Sequence, residues 1–378
     1  MLPDNVQVLQ KGDANGNGMV VRFRLPSGLE ILGLPTENFY GGEWDLGPTW
    51  NYLVCSHDPF LVDTGRFHMG KKLLSMMAFA GFSGNDLKGI VISHGHEDHD
   101  GGLFEMANAT GAQVKAHWIY DRLIHPYPEK APNNRKREFP ASCWHCFMPD
   151  SFSDRHCRVY HRERAMLKVH ALEDGRDKID EFATTHHLPG HSPDALAIFL
   201  GEEAVLMGDT VLPHITPMPT QERFFKQVEK ILYPNGGKGR MVYGLKTYIR
   251  SLKKLHRLTC QMPHLLVLPA HRIFYNNRWN EIVLAERIDQ IIQHHIQRCG
   301  DIIEIVRRGN PKTAGEIASV HFKPDLLKGM GMAMAENEIL SHCELLRDAG
   351  DLRVVDDARF AQTGASRFES AIESLEPA

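Results

Sequence analysis

The chain has no long apolar segment, few cysteines and little net charge. In its 378 residues, no apolar run approaches the roughly 20 residues that a membrane-spanning helix needs. Its first residues, Met1 to Val6, contain no basic stretch followed by an apolar one, so we expect no secretory signal. Its seven cysteines are odd in number and scattered, which is typical of a reducing compartment. We therefore expect a cytoplasmic protein without membrane contacts.

The composition is that of a globular protein with no bias towards nucleic acid. The formal net charge is −4 and the sequence pI is about 6.6, so the whole chain exerts no attraction on phosphate backbones. The glycine cluster at 236–239 lacks the Lys-Ser or Lys-Thr of a phosphate-binding loop. At this length the chain can form two domains with a large core.

Histidine, by contrast, is abundant, with 22 residues. Residues 94–99 read His-Gly-His-Glu-Asp-His and directly follow the apolar run at 89–93, Gly-Ile-Val-Ile-Ser. Imidazole and carboxylate are the ligands that zinc and related metals favour. The alternative is a solvated turn that happens to be rich in these residues. We favour a metal site, because further residues of the same types follow later in the chain.

Three later segments each carry one more candidate ligand. His191 lies in a Leu-Pro-Gly-His turn, Asp209 ends the apolar run Val-Leu-Met-Gly, and His271 ends Leu-Val-Leu-Pro-Ala. An earlier apolar strand ends at Asp63. Since side chains at strand ends of a rigid sheet commonly carry function, we expect these residues to converge.

This ordered series resembles the metallo-β-lactamase superfamily over about residues 20 to 275. The resemblance implies an α/β fold, a four-layer αββα sandwich, with two divalent metal ions. The ligands that it implies are His94, His96 and His191 for the first metal, Asp98, His99 and His271 for the second, and Asp209 as the bridge.

Two positions narrow the branch of the superfamily. Flavin-linked diiron members have glutamate where this chain has His96, and the β-lactamases themselves commonly have cysteine where it has Asp209. The resemblance therefore favours the hydrolytic branches that act on thioesters, lactones or nucleic acids. It implies zinc as the metal, with iron or manganese as alternatives.

The ligand set implies a dinuclear hydrolase, because two metals can share a hydroxide that attacks a carbonyl group. We expect a small-molecule substrate, namely a thioester such as acyl-coenzyme A or acyl-glutathione, or a small ester or lactone. Asp98 is the expected catalytic residue, which orients the hydroxide or accepts its proton.

Two other activities stay open. A single-strand endoribonuclease would use the same metals on a phosphodiester, with RNA as partner, although the acidic net charge disfavours it. A mononuclear iron persulfide dioxygenase needs only His94, His191 and Asp209, so the remaining candidate ligands disfavour it.

The pattern divides the chain into a catalytic domain, 1–275, and a smaller domain, 276–378. Apolar residues at helical spacing predict helices over 69–82 and 101–108 in the first domain. We expect insertions at about 118–180 and 212–262. The first holds a group of residues that fits either a structural zinc site or a lid over the active site with buried cysteines. They are Cys143, His145, Cys146, His156, Cys157 and His161. No second cysteine pair follows at matching spacing, so we favour the lid.

The C-terminal domain is predicted to be winged-helix-like. A long helix around 282–296, shorter helices at 302–306 and 313–318, and a helix over 333–349 precede a strand pair. This part is similar to the C-terminal domain of the branch grouped with β-lactamase-like protein 2, which includes an endoribonuclease. It lacks a dense basic helix, so we expect a packing role or a homodimer interface instead of RNA binding.

Overall fold

The computed structural model describes residues 5–39, 45–125, 154–173, 178–235, 239–309, 312–329, 331–356 and 358–378, with the backbone alone at 154–158. Two β-sheets, the helices beside them and a mostly helical C-terminal part account for most of these residues.

The first sheet consists of β1 (Val6–Gln10), β2 (Val20–Arg24), β3 (Glu30–Thr36), β4 (Thr49–Val54), β5 (Phe60–Val62), β6 (Gly89–Val91), β7 (Gln113–His117) and β8 (Val169–Leu172). The strands lie in the sheet in chain order. Neighbours run antiparallel from β1 to β5 and parallel from β5 to β8.

The second sheet consists of β9 (Ala183–His187), β10 (Leu196–Leu200), β11 (Ala204–Gly208) and β12 (Leu266–Pro269). Its strand order is β12-β11-β10-β9, and only the β11–β12 pair is parallel. Consequently β9, β11 and β12 all run in the same direction, and their carboxyl ends lie at one edge of the sheet.

Seven helices flank or connect these strands. They are α1 (Gly70–Phe79), α2 (Glu97–Asp100), α3 (Leu103–Thr110), α4 (Trp118–Ile124), α5 (Asp154–Ala165), α6 (Phe225–Leu232) and α7 (Leu245–Thr259). The helices predicted over 69–82 and 101–108 are confirmed as α1 and α3, with ends displaced by at most three residues.

Successive side chains of a strand point to opposite faces, and this alternation sorts the core into layers. In β4, Trp50 and Tyr52 pack between the two sheets, whereas Leu53 packs with α1 and α3. In β10, Ile198 packs towards the first sheet and Phe199 packs with α7. The predicted four-layer αββα sandwich is therefore confirmed.

A hairpin of β13 (Phe274–Tyr275) and β14 (Arg278–Trp279) leads into the C-terminal part. This part consists of α8 (Leu284–Arg308), β15 (Lys312–Thr313), α9 (Ala314–His321), α10 (Gly331–Ala349), β16 (Leu352–Asp356), β17 (Arg359–Gln362) and α11 (Phe368–Glu373). Strands β15, β17 and β16 form an antiparallel sheet in that order. Its predicted mostly helical character is confirmed. Among the described helices, none combines the length and apolar character needed to cross a membrane.

Helix α8 differs from the sequence prediction, which divided it into a helix around 282–296 and a shorter one at 302–306. The structure has a single helix that passes through Gly300. Ile302 and Val306 are fully buried in the same cluster as the earlier part of the helix. This packing outweighs the cost of about 1 kcal/mol that an interior glycine imposes on a helix.

The hydrophobic core continues from the sandwich into the C-terminal part. Phe199 of β10 and Leu252 of α7 belong to the same buried cluster as Ile288 of α8 and Ile339 of α10. Helix α8 packs against α7, which covers the outer face of the second sheet. The predicted domain boundary near residue 276 stays a prediction.

The two predicted insertions contain regular elements where the structure describes them. Helices α4 and α5 and strand β8 fall within 118–180, and β8 is the last strand of the first sheet. Helices α6 and α7 fall within 212–262. Residues 126–153, 174–177 and 236–238 lie outside the described part of the chain.

Candidate metal centre

The candidate ligands lie at one edge of the sandwich, where strands of both sheets end. Strand β6 leads through Ile92 and Ser93 to His94, and β11 ends directly before Asp209. His191 and His271 follow β9 and β12 within four residues. The strands β9, β11 and β12 run in the same direction in the second sheet, and β6 ends at the same edge of the sandwich. The side chains that follow these four strands therefore lie close together.

A single helical turn, α2, supplies the other candidate ligands. His96 is its N-cap residue, and Asp98 and His99 lie on the turn itself. Two glycines follow it because the backbone comes very close to the loop after β5. A Cβ atom at Gly101 would lie 2.1 Å from the Phe67 nitrogen, and one at Gly102 would lie 2.4 Å from the Thr64 oxygen.

Asp209 lies at the middle of the cluster. Its Oδ1 is 3.6 Å from His99 Nε2 and 3.4 Å from His271 Nε2, and its Oδ2 is 3.6 Å from His191 Nε2. Asp98 Oδ2 is 3.3 Å from His271 Nε2. Three overlapping groups place their ligand atoms within 4.8 Å of one another: His94, His96 and His191; His94, His99 and Asp209; and Asp98, His99 and His271.

Hydrogen bonds fix the rings of four of these histidines from behind. His99 Nδ1 lies 2.8 Å from a carboxylate oxygen of Asp63, and His94 Nδ1 lies 3.0 Å from the Ser93 hydroxyl. The remaining two rings face backbone carbonyls. His191 Nδ1 lies 2.8 Å from the Met218 oxygen and His271 Nδ1 lies 3.1 Å from the Pro48 oxygen. Each Nδ1 can therefore carry the proton, which leaves Nε2 as the metal-binding nitrogen.

Five inward-facing atoms are buried and have no hydrogen-bond partner among the residues that the structure describes. They are the Nε2 atoms of His94, His99, His191 and His271 and the Oδ1 atom of Asp209. A buried polar atom without a partner costs about 1–3 kcal/mol, and here five such atoms face one another. The donor set, imidazole nitrogen and carboxylate oxygen, suits zinc and neighbouring transition metals. These residues therefore fit a pair of divalent cations.

Electrostatics divides the cluster into two halves. Burial and the neighbouring imidazoles lower the pKa of His96 to about 3, and that of His94 also lies well below its usual value. Burial alone would lower the pKa of His271, but Asp209 and Asp98 raise it to about 9; the pKa of His99 is raised as well. The two carboxylates thus favour the protonated form of these two imidazoles, and cations bound there would displace the protons.

Asp98 is held by hydrogen bonds outside the ligand set. Its Oδ2 accepts a hydrogen bond of 2.8 Å from the Asn38 amide, and the Thr49 hydroxyl lies 3.5 Å away. Burial would raise the pKa of Asp98, but the charges of His99 and His271 lower it, so the carboxylate is ionised. It is thus a fixed anion beside the cluster.

A buried ion pair supports the loop that carries His94 and His96. Asp100, directly after the motif, accepts hydrogen bonds from Tyr120, Tyr160 and, at 3.1 Å, the Arg164 guanidinium. Arg164 also donates to the carbonyl of Gly95, between the two histidines, at 3.3 Å. Helix α5 therefore contributes to the rear wall of the site.

All seven predicted ligands lie in this cluster, and the supporting residues were largely missed. The sequence marks Asp63 only as a strand end, and nothing in it marks Asn38 or Arg164. One signal for Asp100 was present, because a third carboxylate follows two others within four positions of a histidine-rich turn.

The predicted cysteine and histidine group of the first insertion falls mostly outside the described side chains. Cys143, His145 and Cys146 lie in residues that the structure does not describe, and so do the side chains of His156 and Cys157. His161 is buried, with Nδ1 2.9 Å from a guanidinium nitrogen of Arg164. Whether this group binds zinc or forms part of a lid stays a prediction.

Comparison with known proteins agrees with this geometry. The family model of the metallo-beta-lactamase superfamily matches residues 44–261. The Beta-lactamase-like protein 2 homolog of Caenorhabditis elegans is 21% identical over 283 residues, which are 74% of this chain and 72% of that protein.

Two solved structures share the fold over most of their length. A beta-lactamase domain protein from Burkholderia ambifaria has a TM-score of 0.63 at 19% identity and covers 94% of this chain and 95% of its own. A metallo-beta-lactamase family protein from Thermus thermophilus has a TM-score of 0.60 at 19% identity, and the match covers 88% of this chain and 98% of that protein. With more than half of its residues matched by the family model, this chain belongs to the metallo-β-lactamase superfamily.

Proposed function

We propose that this protein is a dinuclear metal-dependent hydrolase of small thioesters, esters or lactones. The observation that carries the proposal is the set of five buried, unpartnered ligand atoms that converge at the strand ends. Zinc is the cation that we propose, because nitrogen and oxygen donors in this combination suit it. The four described cysteines, including the exposed Cys260, are all free, which supports our proposal of a cytoplasmic location.

Bound at this site, two divalent cations would lower the pKa of a water molecule and polarise a carbonyl oxygen. The side chains of the protein would position the reacting groups and accept protons. Asp98 is ionised and fixed by Asn38, so it can accept a proton from a reacting water or hold that water in line with the carbonyl. Asp209 lies between both groups of histidines and keeps the two halves of the site together.

The proposed substrate class rests on the donor set and on the charges of the C-terminal part. A carboxylate, Asp209, stands where β-lactamases of the superfamily commonly have a thiol. Three exposed arginines of the C-terminal part face carboxylates: Arg307 and Arg308 bond to Glu304, and Arg359 bonds to Asp356. These pairs leave less positive charge for a phosphate backbone, which favours a small substrate.

RNA hydrolysis is the second candidate, because helix, strand, two helices and two strands follow one another in the C-terminal part as in a winged-helix domain. The neighbouring lysines of α7 give it limited support. The ammonium of Lys253 donates to the carbonyls of Ile372, Glu373 and Leu375, and that of Lys254 donates to the carbonyl of His187. The basic stretch Arg-Lys-Arg at 135–137, where a phosphate backbone could also bind, lies outside the described residues.

Metal analysis and a substrate panel test the proposal. Purified protein is expected to contain about two metal ions per chain and to hydrolyse acyl-thioesters or lactones faster than single-stranded RNA. Activity on RNA alone, abolished by His96→Ala, would replace the first candidate by the second. A sample that remains fully active after complete chelation would refute both.

The role of Asp98 is tested separately. Asp98→Asn keeps the shape and removes the proton acceptor, so we expect turnover to fall by about 100-fold or more. Asp86→Asn, an exposed carboxylate near α1, is the matched control and is expected to keep full activity. Near-normal turnover of Asp98→Asn with both metals bound would remove Asp98 from the mechanism.

A further inference from the structure

The loop after Asp209 determines how His191 faces the metal centre. We call residues 210–224 the Asp209 loop. Within it, the carbonyl of Met218 lies 2.8 Å from His191 Nδ1. Thr220 donates from both its backbone nitrogen and its hydroxyl to the carbonyl of Gly190, each at 2.8 Å. The Asp209 loop thus fixes both the ring of His191 and the residue before it.

The first half of this loop is held from helix α8. Arg287 donates from Nε to the carbonyl of Leu212 and from Nη2 to the carbonyl of Ile215, both at 2.7 Å. Between these two carbonyls lies His214, whose φ of 61° is uncommon for a residue with a side chain. The strained turn therefore persists only because its surroundings hold it, and the fork of Arg287 spans it.

Asn280 provides a second contact to the same turn. Its Oδ1 lies 3.1 Å from His214 Nε2, and its Nδ2 donates to the carbonyl of Arg272 at 2.7 Å. Arg272 directly follows the ligand His271. One asparagine therefore connects the Asp209 loop with the segment that carries another ligand.

The second half of the loop is held from helix α10. The carboxylate of Glu344 accepts hydrogen bonds from the backbone nitrogens of Glu222 at 2.7 Å and Arg223 at 3.2 Å. Asn337 accepts a hydrogen bond from the Gln221 amide, and its own amide nitrogen lies 3.5 Å from the carbonyl of Pro219. All of these contacts join residues more than 110 positions apart in the chain.

We propose that the C-terminal part is a positioning element of the metal centre, in which Arg287, Asn337 and Glu344 clamp the Asp209 loop and thereby orient His191. The inference rests on the proposed role of His191 as a metal ligand. It gives the C-terminal part a task in the same chain, independent of any nucleic acid. The clamp acts on the half of the centre that contains His191. The rings of His99 and His271, in the other half, are oriented by Asp63 and by the carbonyl of Pro48 instead.

Hydrogen exchange of the metal-free protein tests the clamp itself. Arg287→Lys keeps the charge but cannot bind two carbonyls as a fork, and Glu344→Gln keeps the shape but turns an amide towards two backbone donors. Exchange in 211–224 is expected to accelerate by about 10-fold or more in both variants. Arg308→Lys on α8 and Glu336→Gln on α10, which face Glu304 and Gly315 instead, are the matched controls and should exchange as the native chain does.

Cobalt titration followed by absorbance tests the consequence. Residues that orient a metal-bound histidine typically contribute 10- to 100-fold to metal affinity, so the clamp variants should lose about that factor at the site of His191. The other site, with Asp98, His99 and His271, should change by less than about threefold.

The outcomes separate this inference from the proposed function. Unchanged exchange in 211–224 would overturn the clamp even if the native chain binds two metals. Faster exchange with native cobalt affinity at both sites would show that the clamp does not position His191. A native chain that binds no cobalt would refute the proposed function and with it the orienting role, whereas exchange would still decide whether the loop is clamped.

Discussion

Among the buried histidines that the structure describes, two groups face opposite electrostatic surroundings. At the strand ends, His99 and His271 lie between two carboxylates, and their pKa is raised. In the C-terminal part, His295 of α8 and His342 of α10 are also fully buried and lie 3.0 Å apart, from Nδ1 to Nε2. There the pKa of both rings lies well below its usual value, because burial disfavours the charged form and the neighbouring imidazoles and Arg298 lower the pKa further.

The difference shows that buried imidazoles alone do not indicate a metal site. The cluster at the strand ends has carboxylates among the rings, an outer hydrogen bond for each of four rings, and open nitrogens that converge. The pair in the C-terminal part has one ring bonded to the other, and His342 Nδ1 faces the carbonyl of Glu338 at 2.7 Å. The first group can receive cations, whereas the second packs two helices together.

The largest expected effect concerns the carboxylate that distinguishes the first group. Asp209→Asn removes the charge that faces three imidazoles, so metal content should fall below two per chain. Turnover should fall by about 10,000-fold or more, because water without two cations ionises near pH 16 instead of near 7. Metal analysis with steady-state kinetics measures both. Asp58→Asn, on the surface, is the control, and a loss below tenfold in Asp209→Asn would contradict the bridging role.

The buried ion pair behind the motif should affect stability more than chemistry. Arg164→Met leaves the Asp100 carboxylate buried beside two tyrosines, so the free energy of unfolding should fall by about 3–5 kcal/mol. Urea unfolding measures this change. The exposed pair of Lys328 and Asp325 is the control, since Lys328→Met should change stability by less than about 1 kcal/mol.

A double variant checks the physical cause of that loss. Asp100→Asn together with Arg164→Met removes the uncompensated charge, so it should be more stable than Arg164→Met alone. Equal destabilisation of the single and double variants would mean that lost packing of α5, and not a stranded carboxylate, is responsible.

Asp63 should have a smaller and more selective effect. It accepts hydrogen bonds from the Ser93 backbone and hydroxyl and lies beside His99 Nδ1. Asp63→Asn weakens the orientation of His99, so the affinity for metal at that half should fall by about 10- to 100-fold while folding persists. A cobalt titration measures it. Equal weakening at both halves would contradict the assignment of Asp63 to His99.

The sequence predicts which candidate ligands converge but misses most of the residues that support them, for a physical reason. His94, His96, Asp98 and His99 form a local motif, Asp209 and His271 each follow an apolar strand, and His191 lies in a turn shortly after β9. Spacing and strand direction therefore suffice to predict that they converge. The supporting contacts depend on tertiary packing: Arg164 reaches Gly95 from a segment predicted as a lid, and the carbonyl of Met218 carries no side-chain signal at all. The sequence pattern likewise divides α8 into two helices. The low helix propensity of Gly300 can be read from the sequence, whereas the burial of Ile302 against the rest of the core depends on the tertiary fold.

The smallest expected effect is the pH dependence of the histidine pair. Unfolded histidine takes up a proton below a pKa of about 6.5, whereas burial keeps His295 and His342 neutral in the folded protein. The unfolded chain therefore binds more protons in acid than the folded protein does. The contribution of the pair to the free energy of unfolding is complete above about pH 6.5, and it declines as pH falls by up to about 1.4 kcal/mol per pH unit for each ring. His342→Gln should reduce that slope by one ring's share in urea unfolding between pH 6.5 and 5, whereas His256→Gln, an exposed control, should leave it unchanged. An unaltered slope in His342→Gln would mean that His342 is already protonated in the folded protein, and the contrast with the metal centre would then disappear.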